Sequence, residues 1–296
     1  LSIQEEKLIF GDKKWALVLS GGGAKGFAHI GVLKFLEENN LKPDLVAGTS
    51  AGAIVGSFYC CGMTALEIED FILNDFNFKD YLDIRTLQLP DMSITRALQV
   101  GESIKNLFSR SGIDSGGKIY RKVLELTKNK NFGEENIPFY CNSVDIINHK
   151  HIVHETGKIA DAVRASCAVP GFFSPCKVEN ALLVDGGIYE NLPVFIPRSK
   201  GIKRVVAVNL NSRKPLDIKQ VETGADVIVE ALFIGSRIRT REGIDKPDVE
   251  IIATDGRTNN DFSNPEELIK LGYEKAQEKS KEIKSLISPL FKKLIG

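Results

Sequence analysis

The pentapeptide Gly48-Thr49-Ser50-Ala51-Gly52 constrains this chain more tightly than any other stretch. The apolar, β-favouring run Leu45-Val46-Ala47 stops at its first glycine, and Ala51-Gly-Ala-Ile-Val55 reads as the start of a helix. A serine between two glycines at that junction has the spacing of a nucleophile elbow, a sharp strand-to-helix turn that strains the serine and lifts its hydroxyl clear of the sheet. Gly48 and Gly52 flank it because neighbouring backbone passes where a Cβ would otherwise sit. Free N–H groups at the start of the following helix favour a nearby anion. Two other readings compete: a buried structural turn and a membrane span. No charge falls from Leu45 to Leu66, and Gly48, Gly52 and Gly56 repeat at the G-x-x-x-G interval. The run is rich in glycine and small polar residues rather than leucine, which ranks the span last.

A second glycine turn precedes the first in the chain. Trp15-Ala-Leu-Val-Leu19 suits a buried parallel strand and leads into Ser20-Gly-Gly-Gly-Ala-Lys-Gly26. Phe27, Ile30, Val32, Leu33 and Leu36 follow at near-helical spacing, and Asn39-Asn40 with Pro43 ends that helix. Strand, glycine loop, helix, strand, elbow and helix in succession argue for a mainly parallel sheet covered on both faces. Gly21-Gly22-Gly23-Ala24-Lys25-Gly26 also satisfies G-x-G-x-x-G, so an NAD(P) or flavin site competes, with Asp44 near the offset of a ribose-binding acid. Against it, Asp44 precedes its strand, Lys25 stands where the motif starts its helix, and an elbow follows in the same unit. The other use of the loop is an oxyanion hole, with amides of Gly21, Gly22 and Gly23 converging on an oxygen anion and Lys25 adding positive potential.

Strand signals fade between Glu67 and Asn131. Thr64–Asp75 and Gly101–Arg110 read as helices, and Ser115-Gly-Gly with Lys118–Thr127 as a capped amphipathic helix. This insertion carries Phe71, Phe76, Phe78, Tyr81, Leu82, Leu87, Leu89 and Phe108, which suit either a satellite core or a cap forming part of an acyl-chain pocket. Further on, Ile137–Ile147 and His151–His154 read as a hairpin turned at Asn148-His-Lys150. Ile159–Cys167 is helical up to Val169-Pro-Gly171. Ala181–Val184 is a buried strand ending in Asp185-Gly186-Gly187, and Arg204–Leu210 is another. A long helix over Ile218–Arg241, a strand over Val249–Ala253 and a helix opened by Asn264-Pro-Glu-Glu complete the order.

Lys plus Arg and Asp plus Glu both number 39, so the basic excess of a nucleic-acid binder is missing. Five cysteines show neither a disulfide framework nor a metal-site rhythm, which points to buried reduced thiols, no metal and a cytoplasmic setting. No signal-peptide pattern is visible, although the sequence opens on Leu1 and a leader could have been removed.

Ser50 needs a proton acceptor. His29 lies in the first helix, where a structural role is expected, and His149, His151 and His154 cluster in the hairpin, where a solvated surface role is expected. No histidine follows His154, whereas Asp185 ends a buried strand and is followed by two glycines that leave its carboxylate uncovered.

Taken together, Gly-Gly-Gly-x-Lys-Gly (21–26), Gly-Thr-Ser-Ala-Gly (48–52) and Asp-Gly-Gly (185–187) resemble the patatin-like phospholipases. Ala165-Ser-Cys-Ala-Val-Pro170, Phe173, Pro175 and Asn191-Leu-Pro193 extend the resemblance over about residues 14–210. It implies a three-layer α/β/α fold and hydrolysis of lipid acyl esters by a Ser-Asp dyad without cofactor. Ser50 would be the nucleophile, Asp185 the base, and the Gly21–Gly23 loop with Lys25 the oxyanion hole. Lys25 stands where many members carry arginine, which keeps the charge but not the bidentate fork. The expected organisation is an N-terminal arm over 1–13, a hydrolase domain over 14–262 with a helical cap at about 64–131, and an amphipathic helix over 263–296 packed on it. That last segment, apolar at Leu268, Leu271, Ile283, Leu286, Ile287, Leu290, Phe291 and Leu294, could instead rest at a lipid interface as a peripheral membrane contact. A non-catalytic lipid-binding protein on the same fold is the remaining alternative.

Overall fold

The computed structural model describes residues 14–81, 112–211, 224–242, 246–259 and 261–287. The expected arm over 1–13, the helix over Gly101–Arg110, Leu82, Leu87, Leu89, Phe108, the first residues of the helix expected from Ile218, and the tail from residue 288 lie outside that set.

The fold is α/β, a central sheet flanked by helices. Its first strands are β1 (Trp15–Leu19) and β2 (Leu45–Gly48), joined through α1 (Phe27–Glu38), and β2 runs into α2 (Ala51–Cys60). After α3 (Ala65–Asp70), β3 (Gly112–Asp114) and α4 (Gly117–Leu126) come β4 (Phe139–Asp145), β5 (Lys150–His154) and α5 (Ile159–Ser166). Then follow β6 (Gly171–Phe173), β7 (Cys176–Val178), β8 (Ala181–Asp185), α6 (Phe195–Ser199), β9 (Arg204–Asn209), α7 (Gly224–Glu242), β10 (Val249–Ile252), α8 (Pro265–Glu278) and α9 (Ser280–Ile287). The large sheet has the order β10-β9-β1-β2-β4-β8-β7, with β5 also on β4. From β10 to β4 every pairing is parallel, as the βαβ order requires. The β5, β8 and β7 pairings are antiparallel: β4 and β5 form the hairpin expected from the sequence, whereas the antiparallel approach of β8 to β4 was not read from it. β3 and β6 form a separate parallel pair for which the sequence carried no strand signal at residues 112–114.

Side-chain alternation assigns the two faces. Leu17, Leu19, Val46, Val206 and Val208 point into a large core with α1, α2, α5 and α8, while Ala16, Val18, Ala47, Val205 and Ala207 point into a smaller one with Ile196 of α6. All ten are fully buried. Strands covered on both faces have no polar side to show, which is why β1 and β2 read as continuous apolar runs. The helix from Thr64 is α-helical only to Asp70 and widens into a π turn over Phe71–Asp75. Thr64 and Glu67 form a reciprocal capping box at its start. Among the described residues no helix is long and apolar enough to cross a membrane, so the stretch from Leu45 to Leu66 is strand, turn and buried helix.

The segment from Asn264 forms two helices rather than one. The first, α8, lies against α1 through glycines. A Cβ added to Gly31 would stand 1.8 Å from the Ile269 carbonyl oxygen, and one on Gly272 would stand 1.9 Å from the Ala28 oxygen. Backbone, which cannot swing aside, fills those places. Gly272→Ala is therefore expected to cost about 2 kcal/mol or more by overpacking. Gly235→Ala, in α7 with nothing near the added methyl, should instead gain roughly 0.5–1 kcal/mol in helix propensity. Urea midpoints of the two variants measure both signs.

Candidate active site

The register of the sheet brings the elbow and Asp185 together. On one edge of β4, β5 pairs along residues 141–145. The other edge is shared: β2 occupies it at 139–141, with Gly48 opposite Cys141, and β8 occupies it at 143–145, with Asp185 opposite Ser143. The two strands run toward each other along that edge and stop two residues apart, a gap of about 7 Å at strand rise. Ser50 turns out of one strand end and Asp185 stands at the other. Asn142, the residue between, ties the two together. Its Oδ1 accepts from Thr49 Oγ1 at 2.7 Å, and its Nδ2 donates at 2.9 Å to the carbonyl of Glu190, beyond the Asp185 turn.

Ser50 adopts φ 51° and ψ −120°, the strained turn expected of an elbow, at a cost of order 1–3 kcal/mol. Its N–H donates to Ser166 Oγ at 3.0 Å. Added Cβ atoms at Gly48 and Gly52 would meet the Gly52 carbonyl oxygen at 2.5 Å and the Leu19 oxygen at 2.3 Å, so both positions exclude any side chain. Gly186 and Gly187 are limited likewise, by Asn142 at 2.5 Å and Asn191 at 2.7 Å.

Asp185 is 1% exposed. Its Oδ1 accepts the Gly187 N–H at 2.7 Å. Burial raises its pKa to about 7, against the opposing pull of the Ser50 hydroxyl and the Gly187 amide. Oδ2 has no hydrogen-bond partner among the described residues, and the nearby Ser50 hydroxyl pulls the carboxyl's pKa down against burial.

The glycine loop sits beside this pair and is clamped by Asn191. Gly21 N–H donates to the Asn191 carbonyl at 3.2 Å, and Asn191 Nδ2 returns a bond to the Gly21 carbonyl at 3.1 Å. The Gly21 amide is thereby spent. Those of Gly22 and Gly23 make no hydrogen bond among the described residues and border the cavity in front of Ser50. Lys25 is buried and absent from the cavity wall. Burial lowers its pKa to about 8, reinforced by Arg237 and opposed by Glu230 and Asp255. Asp44 accepts the Trp15 N–H at 2.9 Å, at the start of β1 and the opposite end of the sheet from the glycine loop. A ribose at the loop would be out of its reach.

None of the four histidines lines the cavity in front of Ser50, although His151 Nε2 stands 3.0 Å from Asn142 Nδ2. His29 is buried with Nε2 at 2.8 Å from the Ser20 carbonyl, and burial lowers its pKa to about 4. The expectation of a solvated role holds for exposed His149 but fails for His151 and His154. His151 packs on Phe195 and Tyr189, His154 meets Ser143 Oγ at 2.8 Å, and burial brings both pKa values to about 4. A short alternating run on a hairpin looked open to water because nothing nearby in sequence announced that α6 covers it.

Ser50, Asp185, Gly22 and Gly23 open onto a cavity of about 480 Å³. Its wall is mostly aromatic and aliphatic, with Phe71, Phe76, Phe78 and Tyr81 from the insertion, Phe172 after α5 and Phe262. Phe78 stacks on Phe262 at 3.9 Å between centroids and lies 6.4 Å from Phe172, so three distant segments share one aromatic wall. Ser166, Asn142 and Asn191 were not picked out from the sequence as site residues. Two of them lie within the quoted Ala165–Pro170 and Asn191–Pro193 stretches, which were the available signal.

Comparison with known proteins adds the following. A family model described as patatin-like phospholipase matches residues 17–197. The chain is 32% identical over 206 residues to patatin-like phospholipase domain-containing protein 6 of Homo sapiens, covering 69% of this chain and 14% of that protein. It is 30% identical over 227 residues to lysophospholipase NTE1 of Lodderomyces elongisporus, covering 74% of this chain and 14% of that protein. The chain thus spans about 14% of the length of these curated relatives. Among solved structures, VipD from Legionella pneumophila aligns with a TM-score of 0.56 at 17% identity over 93% of this chain and 67% of that one, a likeness of fold.

A carboxyl whose pKa rises on folding from about 3.8 to about 7 keeps its proton longer in the native state, so stability falls as pH climbs through that window. The penalty above pH 8 is on the order of 4 kcal/mol. Asp185→Asn should accordingly be more stable than the wild type at pH 8, with the advantage shrinking toward pH 4. Urea unfolding at a series of pH values reads this directly, and an advantage independent of pH would contradict the assignment.

Proposed function

This chain belongs to the patatin-like phospholipase family, and on that premise we propose that it is a serine hydrolase cleaving acyl esters of lipids through Ser50 and Asp185. The observation that carries the proposal is the meeting of a strained serine and a buried carboxyl at the head of an apolar cavity, with unspent amides alongside. Asp185 takes the proton of Ser50 as Oγ attacks the ester carbonyl. The amides of Gly22 and Gly23 hold the oxyanion, with Gly21 and Asn191 fixing their position. Collapse of the tetrahedral intermediate breaks the ester bond, and the departing alcohol leaves with the proton held by Asp185. A water then gives its proton to Asp185 and attacks the acyl-enzyme. Release of the fatty acid returns the proton to Ser50.

Two physical points support these roles. A carboxyl with its ordinary pKa of about 3.9 is a weak base for a serine hydroxyl, and burial that lifts Asp185 to about 7 narrows the gap. The remainder falls to the oxyanion amides, each worth roughly 3 kcal/mol. The aromatic wall supplied by Phe71, Phe76, Phe78 and Tyr81 acts as a cap over the acyl chain, and its mainly hydrocarbon surface suits a hydrocarbon tail.

Ser50→Ala and Asp185→Asn should each lower ester hydrolysis by at least about a thousandfold while the fold persists. A fluorophosphonate probe should label Ser50. Near-normal turnover in Asp185→Asn would refute the dyad, and lipid binding without wild-type turnover would point to a non-catalytic binder. Since the base must be deprotonated, kcat/KM should rise with pH along an acid limb of apparent pKa near 7, the value of the buried carboxyl. A limb near 4 would mean that Asp185 is not the group titrating.

A further inference from the structure

Helix α7 exposes an apolar face. Val227, Ile228, Ile234 and Ile238 are 54%, 61%, 56% and 38% exposed. Together with exposed Ala231 and Gly235 they share one side of the helix, because positions 227, 231, 234 and 238 recur at helical spacing. Ser236 lies opposite that side, charged residues flank it, and Leu232 and Phe233 are partly buried. Ser236 is fully buried and accepts the Asn191 N–H through Oγ at 2.8 Å, while Arg237 pairs with Glu230 and Arg239 with Glu190. None of the described side chains of α7 belongs to either hydrophobic core. A helix packed on a domain normally turns its apolar side inward. Here the apolar side is presented to the surroundings, where an isolated exposed residue needs no explanation but a continuous face does.

What this face fits is indicated by where it leads. Ile228 is exposed and also lines the cavity in front of Ser50, and Phe233 and Arg237 of the same helix line it too. Ile228 therefore joins the exposed apolar face to the wall of the cavity. Beside it stands Tyr189, 46% exposed, with the Arg239 guanidinium 4.8 Å from its ring centroid. An aromatic with a polar tip, next to a cation with an apolar stem, is the composition favoured at the boundary of hydrocarbon and water. We propose that the outward face of α7 docks the protein on a phospholipid surface and delivers a lipid tail to the cavity mouth. The proposal builds on the reading of the cavity as an acyl-chain site and adds the surface from which the chain arrives.

The test uses sucrose-loaded phosphatidylcholine vesicles, a soluble short-chain p-nitrophenyl ester, and the mass of the free protein by light scattering. Ile234→Glu combined with Ile238→Glu removes apolar contact at two positions outside the cavity wall. Leu66→Glu, 64% exposed on α3, is the control for an unrelated exposed leucine. The α7 pair should lower the vesicle-bound fraction roughly tenfold or more, with turnover of the soluble ester near the wild-type value. Leu66→Glu and Ser50→Ala should bind vesicles as the wild type does. Vesicle binding unchanged in the α7 pair, or absent from the wild type, overturns the docking surface. So does a wild-type dimer that the pair converts to monomer, since the face would then join two copies of the chain. Absent ester turnover with intact vesicle binding would instead count against the hydrolase reading alone.

Discussion

Two strands that point at each other along one edge of β4 are the constraint on which this site depends. Strand β2 arrives from the parallel half of the sheet and β8 from the hairpin half, and the space between their ends is bridged by a single residue, Asn142. Several sequence features acquire their reason from that crowding. Gly48 lacks a side chain because the Gly52 carbonyl of the returning turn fills its place, Gly52 because the Leu19 carbonyl of β1 does, and Gly186 because Asn142 does. The strain at Ser50 persists because Ser166, Thr49 and the glycine crossing fix the turn from three sides.

Loss of water acts on the charged groups beside the cavity in opposite senses. For Asp185 the loss of water outweighs a hydrogen bond from Gly187 and the influence of Ser50, and the carboxyl moves up to about 7. An apolar wall that excludes water from the carboxyl is also a wall that suits a hydrocarbon chain. Lys25 experiences burial in the opposite sense and is pushed down to about 8, and it does not line the cavity.

What the sequence disclosed follows the range of the interactions involved. The order of β1, the glycine loop, α1, β2 and the elbow was legible because each is decided within a few residues by glycine, by apolar period or by capping. Asp185 was legible as a candidate for the same reason, as a strand end with two glycines behind it. Its direction of approach was not. Whether β8 runs with or against β4 depends on pairing between segments far apart, and a five-residue apolar run looks the same in either case. The partial burial of His151 was hidden likewise, since it comes from Tyr189 and from Phe195 of α6, about forty residues on in the chain. The long helix of α7 was anticipated, but which side of it would meet the domain was not, because its polar contacts are with Asn191 and Glu190 rather than with its own neighbours.

The head-on meeting of β2 and β8 also governs when the proposed dyad can exist at all. The serine turn belongs to a strand laid down early in synthesis, while the aspartate waits on a hairpin made more than a hundred residues later. β4, the common edge, lies between them in the chain, and only when both strands are paired with it do their ends stand two residues apart. A chain that has made the serine turn but not yet β8 holds a hydroxyl with no carboxylate beside it.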